Sequence, residues 1–336
     1  MPRILFITPN FEDYASDGLL HGLRGLLGAD VVDFPKADFL YETVHPEVLS
    51  RVRGGGFTLY GLLPDVEVHR DHLLERAMGG EFDLVVFADI WRTWGLWVEW
   101  GLQLHGRVPL AVIDGSDRVE PYPYAGVWWR RRAWWLVPRA HRRATYFKRE
   151  ITDWMYWFRS YLVLPGPLGR RLGLLRDVRT FGFSVPAEHV VVAIPEKRKE
   201  FGSHVVDPEV ATTVGGQTSY AFADQDAYYA DLRESRFGIT TKREGWDCLR
   251  HYEIAMNGTV PCVRDLHRKP ARTSPLGLVP GENCLAYTSA EDLLRQTSAC
   301  TEGEYARLAA GALAWARANT TEARAREFLE AMGLTR

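Results

Sequence analysis

Cysteine is scarce in this chain, with four in 336 residues, and none stands in a Cys-x-x-Cys pair. Cys248, Cys262, Cys284 and Cys300 are therefore expected as reduced thiols of a cytosolic protein. No run of 18 apolar residues occurs, so no membrane-spanning helix is expected. His-x-His and His-Glu-x-x-His are absent, which removes the common zinc-site signatures. No Gly-x-Gly-x-x-Gly follows the first apolar run, which disfavours a dinucleotide-binding enzyme. Basic excess is also missing. Lys plus Arg is 41, Asp plus Glu is 43, and the net charge of −2 argues against nucleic acid as a partner. Lysine is rare among those basic residues, an arginine bias that reads mainly as GC-rich coding.

What is present is an ordinary globular composition, 46% hydrophobic and 25% charged, at a length that predicts about two domains. Arg3 followed by Ile4–Ile7 reads as a first strand, not a signal peptide. A loop from Asn10 to Asp17 and a helix with leucines at 19, 20, 23, 26 and 27 follow, and Gly28 ends that helix. Further strands are expected at Val31-Val32, Phe82–Phe87, Pro109–Ile113 and Ala144–Phe147, with helical segments at His69–Met78 and Trp91–Leu104. Short apolar strands alternating with helices predict a doubly wound α/β sheet. The composition shifts near Pro186, where Val190–Ile194 is read as opening a second domain. Helices at Asp226–Glu234 and Trp246–Met256 then alternate with strands at Phe237–Thr240, Val260–Val263 and Cys284–Tyr287. The expected division is 1–185, 186–310, and C-terminal helices 311–336 packing back on the first domain.

The most informative stretch is Phe237–Val263: strand, polar loop, helix, Asn-Gly stop, strand. In open α/β sheets, ligands bind at the carboxyl ends of strands, which is where the loop Thr240–Gly245 falls. Lys242 and Arg243 precede a helix N-terminus, whose unpaired backbone N–H groups favour an anion such as a diphosphate. The helix carries Asp247, Arg250, His251 and Glu253 within about two turns, with Asp247, Arg250 and Glu253 at spacings of three. A surface ion-pair ladder is one reading. The other has Glu253 accepting hydrogen bonds from ribose hydroxyls while Arg250 or Lys242 meets a phosphate.

These residues resemble the C-terminal half of glycosyltransferases of the two-Rossmann GT-B architecture. The matching pieces are Glu253, Gly258 and Pro261 in that order, Tyr146–Glu150, Ser235–Gly238, and Gly245-Trp246-Asp247. They are also similar, more distantly, to exostosin-like transferases. The resemblance is to a bacterial glycosyltransferase-like group. It implies two Rossmann-like domains facing a cleft, a nucleotide-sugar donor, no metal and no other cofactor. It further implies donor binding by Lys242, Arg243, Glu244, Arg250, Glu253 and Arg149. Retaining members often carry two glutamates separated by seven residues; here Glu244 and Glu253 have eight between them, so that pair is not present as such.

The catalytic base is expected across the cleft, at the strand ends of the first domain. Asp114 and Asp89 are the ordered choices, with His21 a third, although His21 also fits as a packed core residue. Asp13 and Asp17 lie in or beside the first loop, and Asp17 suits a helix N-cap equally well. Asp17, Asp117, Trp94 and Trp97 are assigned to the acceptor side. Asp224-Gln225-Asp226 could hold a metal on a diphosphate or simply cap a helix, and His69/His72 lack a third ligand nearby.

Tryptophan is the compositional outlier: ten of the twelve lie between Trp91 and Trp157. Residues 128–143 hold four tryptophans and six arginines, which fits core packing, a peripheral membrane face on the cytoplasmic side, or a stacking platform for an acceptor. The sequence thus predicts a nucleotide-sugar-dependent transferase acting on a small-molecule, glycan or lipid-linked hydroxyl. The rivals are a nucleotide-sugar epimerase and a non-catalytic carbohydrate- or nucleotide-binding protein.

Overall fold

A computed structural model describes residues 1–52, 56–119, 143–151, 178–219 and 222–335. The tryptophan–arginine segment 128–142, with every membrane or stacking role assigned to it, lies outside them.

The first domain is a parallel sheet of six strands in the order β2-β1-β3-β4-β5-β6. These are β1 (Ile4–Ile7), β2 (Val31–Phe34), β3 (Leu84–Phe87), β4 (Leu110–Asp114), β5 (Thr145–Lys148) and β6 (Val178–Thr180). The short apolar runs form strands because both of their faces are covered. In β1, Ile4 and Phe6 enter one core while Leu5 and Ile7 enter the other, all at 0–1% exposure. Each such burial is worth ~1.5–3 kcal/mol against exposure. The order reverses at β1, which pairs with β2 on one side and β3 on the other. Loops at that reversal open a crevice at the carboxyl ends of the strands.

Helix α1 (Tyr14–Leu27) covers one face of this sheet. Helix α2 (Ile90–Leu96), which continues through a wider turn at Trp97–Gly101, covers the other. The second domain is a parallel sheet in the order β10-β9-β8-β7. Its strands are β7 (Lys199–Phe201), β8 (Ser235–Thr240), β9 (Val260–Arg264) and β10 (Leu285–Tyr287). Its helices include α3 (Gln225–Glu234), α4 (Leu249–Met256), α5 (Ala290–Ala299) and α6 (Glu302–Ala318), with a further short one at Pro208–Val214.

Several expectations are corrected. The first strand of the second domain, β7, forms at Lys199–Phe201 rather than within Val190–Ile194, the stretch read as opening that domain. As an edge strand, β7 buries little, so hydrophobicity gives no signal. Helix α4 begins at Leu249 rather than Trp246, because the Trp246 and Asp247 amides are held by the Glu150 carboxylate instead of a helical turn. His69 lies ahead of a helix that starts only at Leu73.

The chain crosses between the domains twice, side by side. The Val185 amide donates to Asn319 O, and the Thr321 amide donates back to Val185 O. Beyond this crossing, α7 (Thr321–Ala331) lies against α1. The contact is so close that a Cβ on Gly22 would sit 1.9 Å from Thr321 O, so only glycine fits there.

Candidate active site

Two cavities meet where the carboxyl ends of the two sheets face one another. The larger, about 710 Å³, lies mainly against the second domain and reaches Arg243, Cys248, Leu249, Arg250 and Glu253. The smaller, about 500 Å³, lies against the first domain and reaches Asp13, Asp89, Trp91 and Arg92. Tyr14, Asp117, Arg149, Phe183 and Glu244 line both, so the two form one continuous cleft.

The wall of the larger cavity follows from local sequence. The N-cap of α4 is Cys248, whose thiol makes only long contacts to Thr241 O and Gly245 O and caps no amide. Burial pushes that thiol up to about 11, so it stays neutral. A Ser, Thr, Asp or Asn there would cap a first-turn amide with its side chain; Cys248 does not, and among the described residues only the His251 amide of that turn is bonded, to the Cys248 carbonyl. Arg243 and Arg250 line the same wall. Among the described residues neither has a carboxylate within ion-pair distance, and Arg250 Nε is a buried donor without a partner.

Arg250 is instead held by His204, with Nη2 3.2 Å from Nε2. His204 Nδ1 faces Ser219 O at 2.9 Å, so the proton sits on Nδ1 and Nε2 accepts from the guanidinium. Burial and the Arg250 charge hold His204 below its ordinary pKa, consistent with that neutral form.

Glu253 is buried at the floor of this cavity and is not part of a surface ladder. Its Oε1 accepts from Thr58 Oγ1 at 2.6 Å and its Oε2 from Tyr228 OH at 3.1 Å. Burial raises its pKa, and these two hydroxyls act against the rise. Asp247 is also buried: its carboxylate accepts from the Phe183 amide and from Tyr252 OH. His251 is a buried strut between Thr240 Oγ1 and Trp246 O. Lys242 does not line either cavity. It is exposed, with Nζ 5.9 Å from the centre of the Trp246 ring, so its expected place on the donor phosphates is corrected.

The junction of the cavities is built on Arg149, at the end of β5. Its Nε donates to Gly115 O at 2.9 Å, Nη1 to Asp247 O at 2.6 Å, and Nη2 pairs with Asp117. The guanidinium also stacks 4.5 Å from the Phe183 ring centre. Arg149 thereby ties the two domains together as well as lining the cleft. Gly245 passes directly over it. A Cβ there would sit 2.5 Å from both Asp117 Oδ1 and Glu150 Oε1, which explains glycine at that position. Glu244, next to it, is exposed at the junction.

In the smaller cavity Asp89 ends β3 in the left-handed region, at φ +40°. Burial, then the nearby Asp13 charge, pushes its carboxyl up to about 7, although it is ion-paired with Arg92. A carboxylate poised near neutrality beside a cavity fits general-base work. Asp13 is the N-cap of α1, accepting from Ser16.

Other first-domain expectations are corrected. Asp114 is buried and lines neither cavity; its oxygens take Trp91 Nε1, Ser116 Oγ and Tyr146 OH, and Lys148 Nζ lies 3.0 Å away. It orients Trp91 and the following turn rather than meeting an acceptor. His21 is buried between Thr321 Oγ1 and Glu188, away from the cleft. Asp17 is buried inside α1, accepting from the Asp13 amide and Tyr60 OH; Asp13, not Asp17, caps the helix. Burial and the Asp13 charge raise the Asp17 pKa well above its usual range. Trp97 is core, packed edge-on to Phe87 at 5.0 Å, and Trp94 packs half-buried on the same core. Asp224 caps α3 through the Ala227 amide, which accounts for the Asp-x-Asp pair.

Tyr14, Phe183, Phe57, Thr58 and His204 are site residues that sequence patterning misses, whereas Trp91, read in sequence as able to line an acceptor groove, does line the smaller cavity. Phe57, Thr58, Phe183 and His204 sit outside any helix, and Tyr14 is the first residue of α1, so periodicity marks none of them.

No protein-family model matches the chain, and no curated protein matches it in sequence. Solved structures do match in shape. HepE of Anabaena, solved with UDP and glucose, is similar at a TM-score of 0.54 and 12% identity, over 100% of both chains. A glycosyltransferase of Rickettsia africae is similar at 0.55 and 8%, over 98% of this chain and 97% of that one. The chain has the two-domain GT-B fold. The sucrose-phosphate synthase of Thermosynechococcus elongatus is similar at 0.52 and 13%, over 98% of each chain. Among the described residues, no helix is long and apolar enough to cross a membrane.

Proposed function

We propose that the protein transfers a sugar from a nucleotide-sugar donor to an acceptor hydroxyl. The observation that carries this reading is the larger cavity's wall: an uncapped helix N-terminus beside Arg243 and Arg250, with Glu253 one turn further along α4. That arrangement suits a diphosphate at the amides and arginines and a ribose at the carboxylate. HepE, of the same fold, was solved with UDP-glucose, which supports a nucleotide sugar as the donor.

In this reading the sugar lies at the junction, near Glu244 and Arg149, and the acceptor enters the smaller cavity. As the acceptor oxygen bonds to the anomeric carbon, the carbon–phosphate oxygen bond breaks and the electron pair leaves on the diphosphate. Arg243, Arg250 and the helix amides stabilise that charge. Asp89 takes the acceptor proton. No metal is assigned a role. Incubation with a panel of nucleotide sugars and simple glycosides tests the reading. Release of nucleoside diphosphate that depends on acceptor, with a glycosylated product by mass, supports it; nucleotide sugars left intact with every acceptor would refute it.

A further inference from the structure

The smaller cavity has a composition that selects among acceptors. Among the described residues, five carboxylates line it against three arginines, and no aliphatic side chain does. Arg92 is committed to Asp89 and Arg149 to Asp117, while Arg118 is exposed. A phosphate or carboxylate placed here would meet charge of its own sign, and the buried cation of the lining, Arg149, is already paired with Asp117. Among the described residues a lipid tail would find no aliphatic wall.

Carboxylates only accept hydrogen bonds, so the complement to this lining is a ligand rich in donors. Two aromatic groups add a flat apolar surface. Trp91 is oriented by the 2.8 Å bond from its Nε1 to Asp114 Oδ1, and Tyr14 is held edge-on to Phe183 at 5.7 Å. Carboxylates beside fixed aromatic rings suit a pyranose, which offers hydroxyls at its rim and C–H groups on its faces.

We propose that the 500 Å³ cavity takes an uncharged sugar as the acceptor, bound through Glu12, Asp13 and Asp89 and against Tyr14 and Trp91. The assignment of this sugar as acceptor rests on the transferase reading; its binding here does not.

Saturation-transfer NMR tests it on the whole protein without nucleotide, using glucose, maltose and cellobiose against glucuronate and glucose 6-phosphate. At least one neutral sugar should bind, and the two anionic sugars should bind more weakly or not at all. Trp91→Ala should weaken the neutral sugar about tenfold. The double variant Glu12→Gln/Asp13→Asn keeps the helix cap, since Asn caps as well as Asp. It should weaken the neutral sugar and let glucuronate bind. Anionic sugars binding wild type as well as neutral ones would overturn the proposal. So would the absence of any neutral-sugar signal, or variants that leave it unchanged. Calorimetry with nucleoside diphosphates on the same sample separates the two readings: sugar binding without nucleotide binding sinks the donor site and leaves this one standing.

Discussion

Thr58 of the first domain donates a 2.6 Å hydrogen bond to Glu253 of the second, 195 positions away in sequence. Thr58 adopts φ +73°, a conformation that a β-branched residue takes only when its surroundings enforce it, at a cost of ~1–3 kcal/mol. Its amide donates to Gln225 Oε1 and its hydroxyl also meets Tyr229 OH, so contacts from the second domain hold it there. The hydroxyl fixes the Glu253 carboxylate and favours its ionised form. Thr58→Val should therefore raise the donor KM several-fold with little change in kcat, and Thr58→Ser should restore it. Steady-state kinetics that separate KM from kcat check this; equal behaviour of Val and Ser would contradict it.

In the transferase reading proposed above, the pH dependence of transfer follows the Asp89 carboxyl. A base works only when unprotonated, so the rate should climb as pH rises through about 7, where burial and Asp13 place this carboxyl. Asp89→Asn should lower kcat by about 10²–10⁴-fold and leave nucleotide affinity near wild type. A pH–rate profile unchanged in the variant would assign the base elsewhere.

Asp114 and Lys148 are 3.0 Å apart and their side chains are fully buried. Asp114→Ala leaves an ammonium buried and unpaired, and should cost ~3–5 kcal/mol of stability. Asp114→Ala/Lys148→Met should recover much of that loss. Urea denaturation of the two variants checks the order.

Glu150 couples folding to pH in a direction opposite to that of a carboxylate held ionised by an ion pair. Burial raises it from 4.5 to about 7 in the folded protein. Its stabilising contribution is thus complete below about 4.5 and is lost as pH rises through about 7, on the order of 3 kcal/mol in all. Glu150→Gln keeps an acceptor for the Trp246 and Asp247 amides and removes the titration. Between pH 5 and 8 wild type should lose melting temperature relative to this variant; parallel curves would contradict the assignment.

The alternation of apolar runs with helical segments makes most of the first sheet legible, because strands buried on both faces must be apolar throughout. The strand–loop–helix at Phe237–Glu253 is legible for the same reason, and so is the arginine-bearing helix start. Strand β7 is not, since an edge strand carries no such signature. Asp114 and Asp89 look alike in sequence, both acids at strand ends, yet the first is buried by Lys148 and the second opens on the cleft. Only the three-dimensional neighbours separate them. Thr58 is invisible for a further reason: its segment has no periodicity, and its importance comes from a partner in the other domain.

The central claim is that the start of α4 grips the diphosphate of a nucleotide. Calorimetric titration of nucleoside diphosphates into wild type and Arg250→Ala tests it most directly. One nucleoside diphosphate should bind wild type, and Arg250→Ala should weaken it by about tenfold or more, since a hydrogen bond to a charged group is worth ~1.5–3 kcal/mol. Wild-type affinity in the variant, or no binding by any nucleoside diphosphate, would contradict the account.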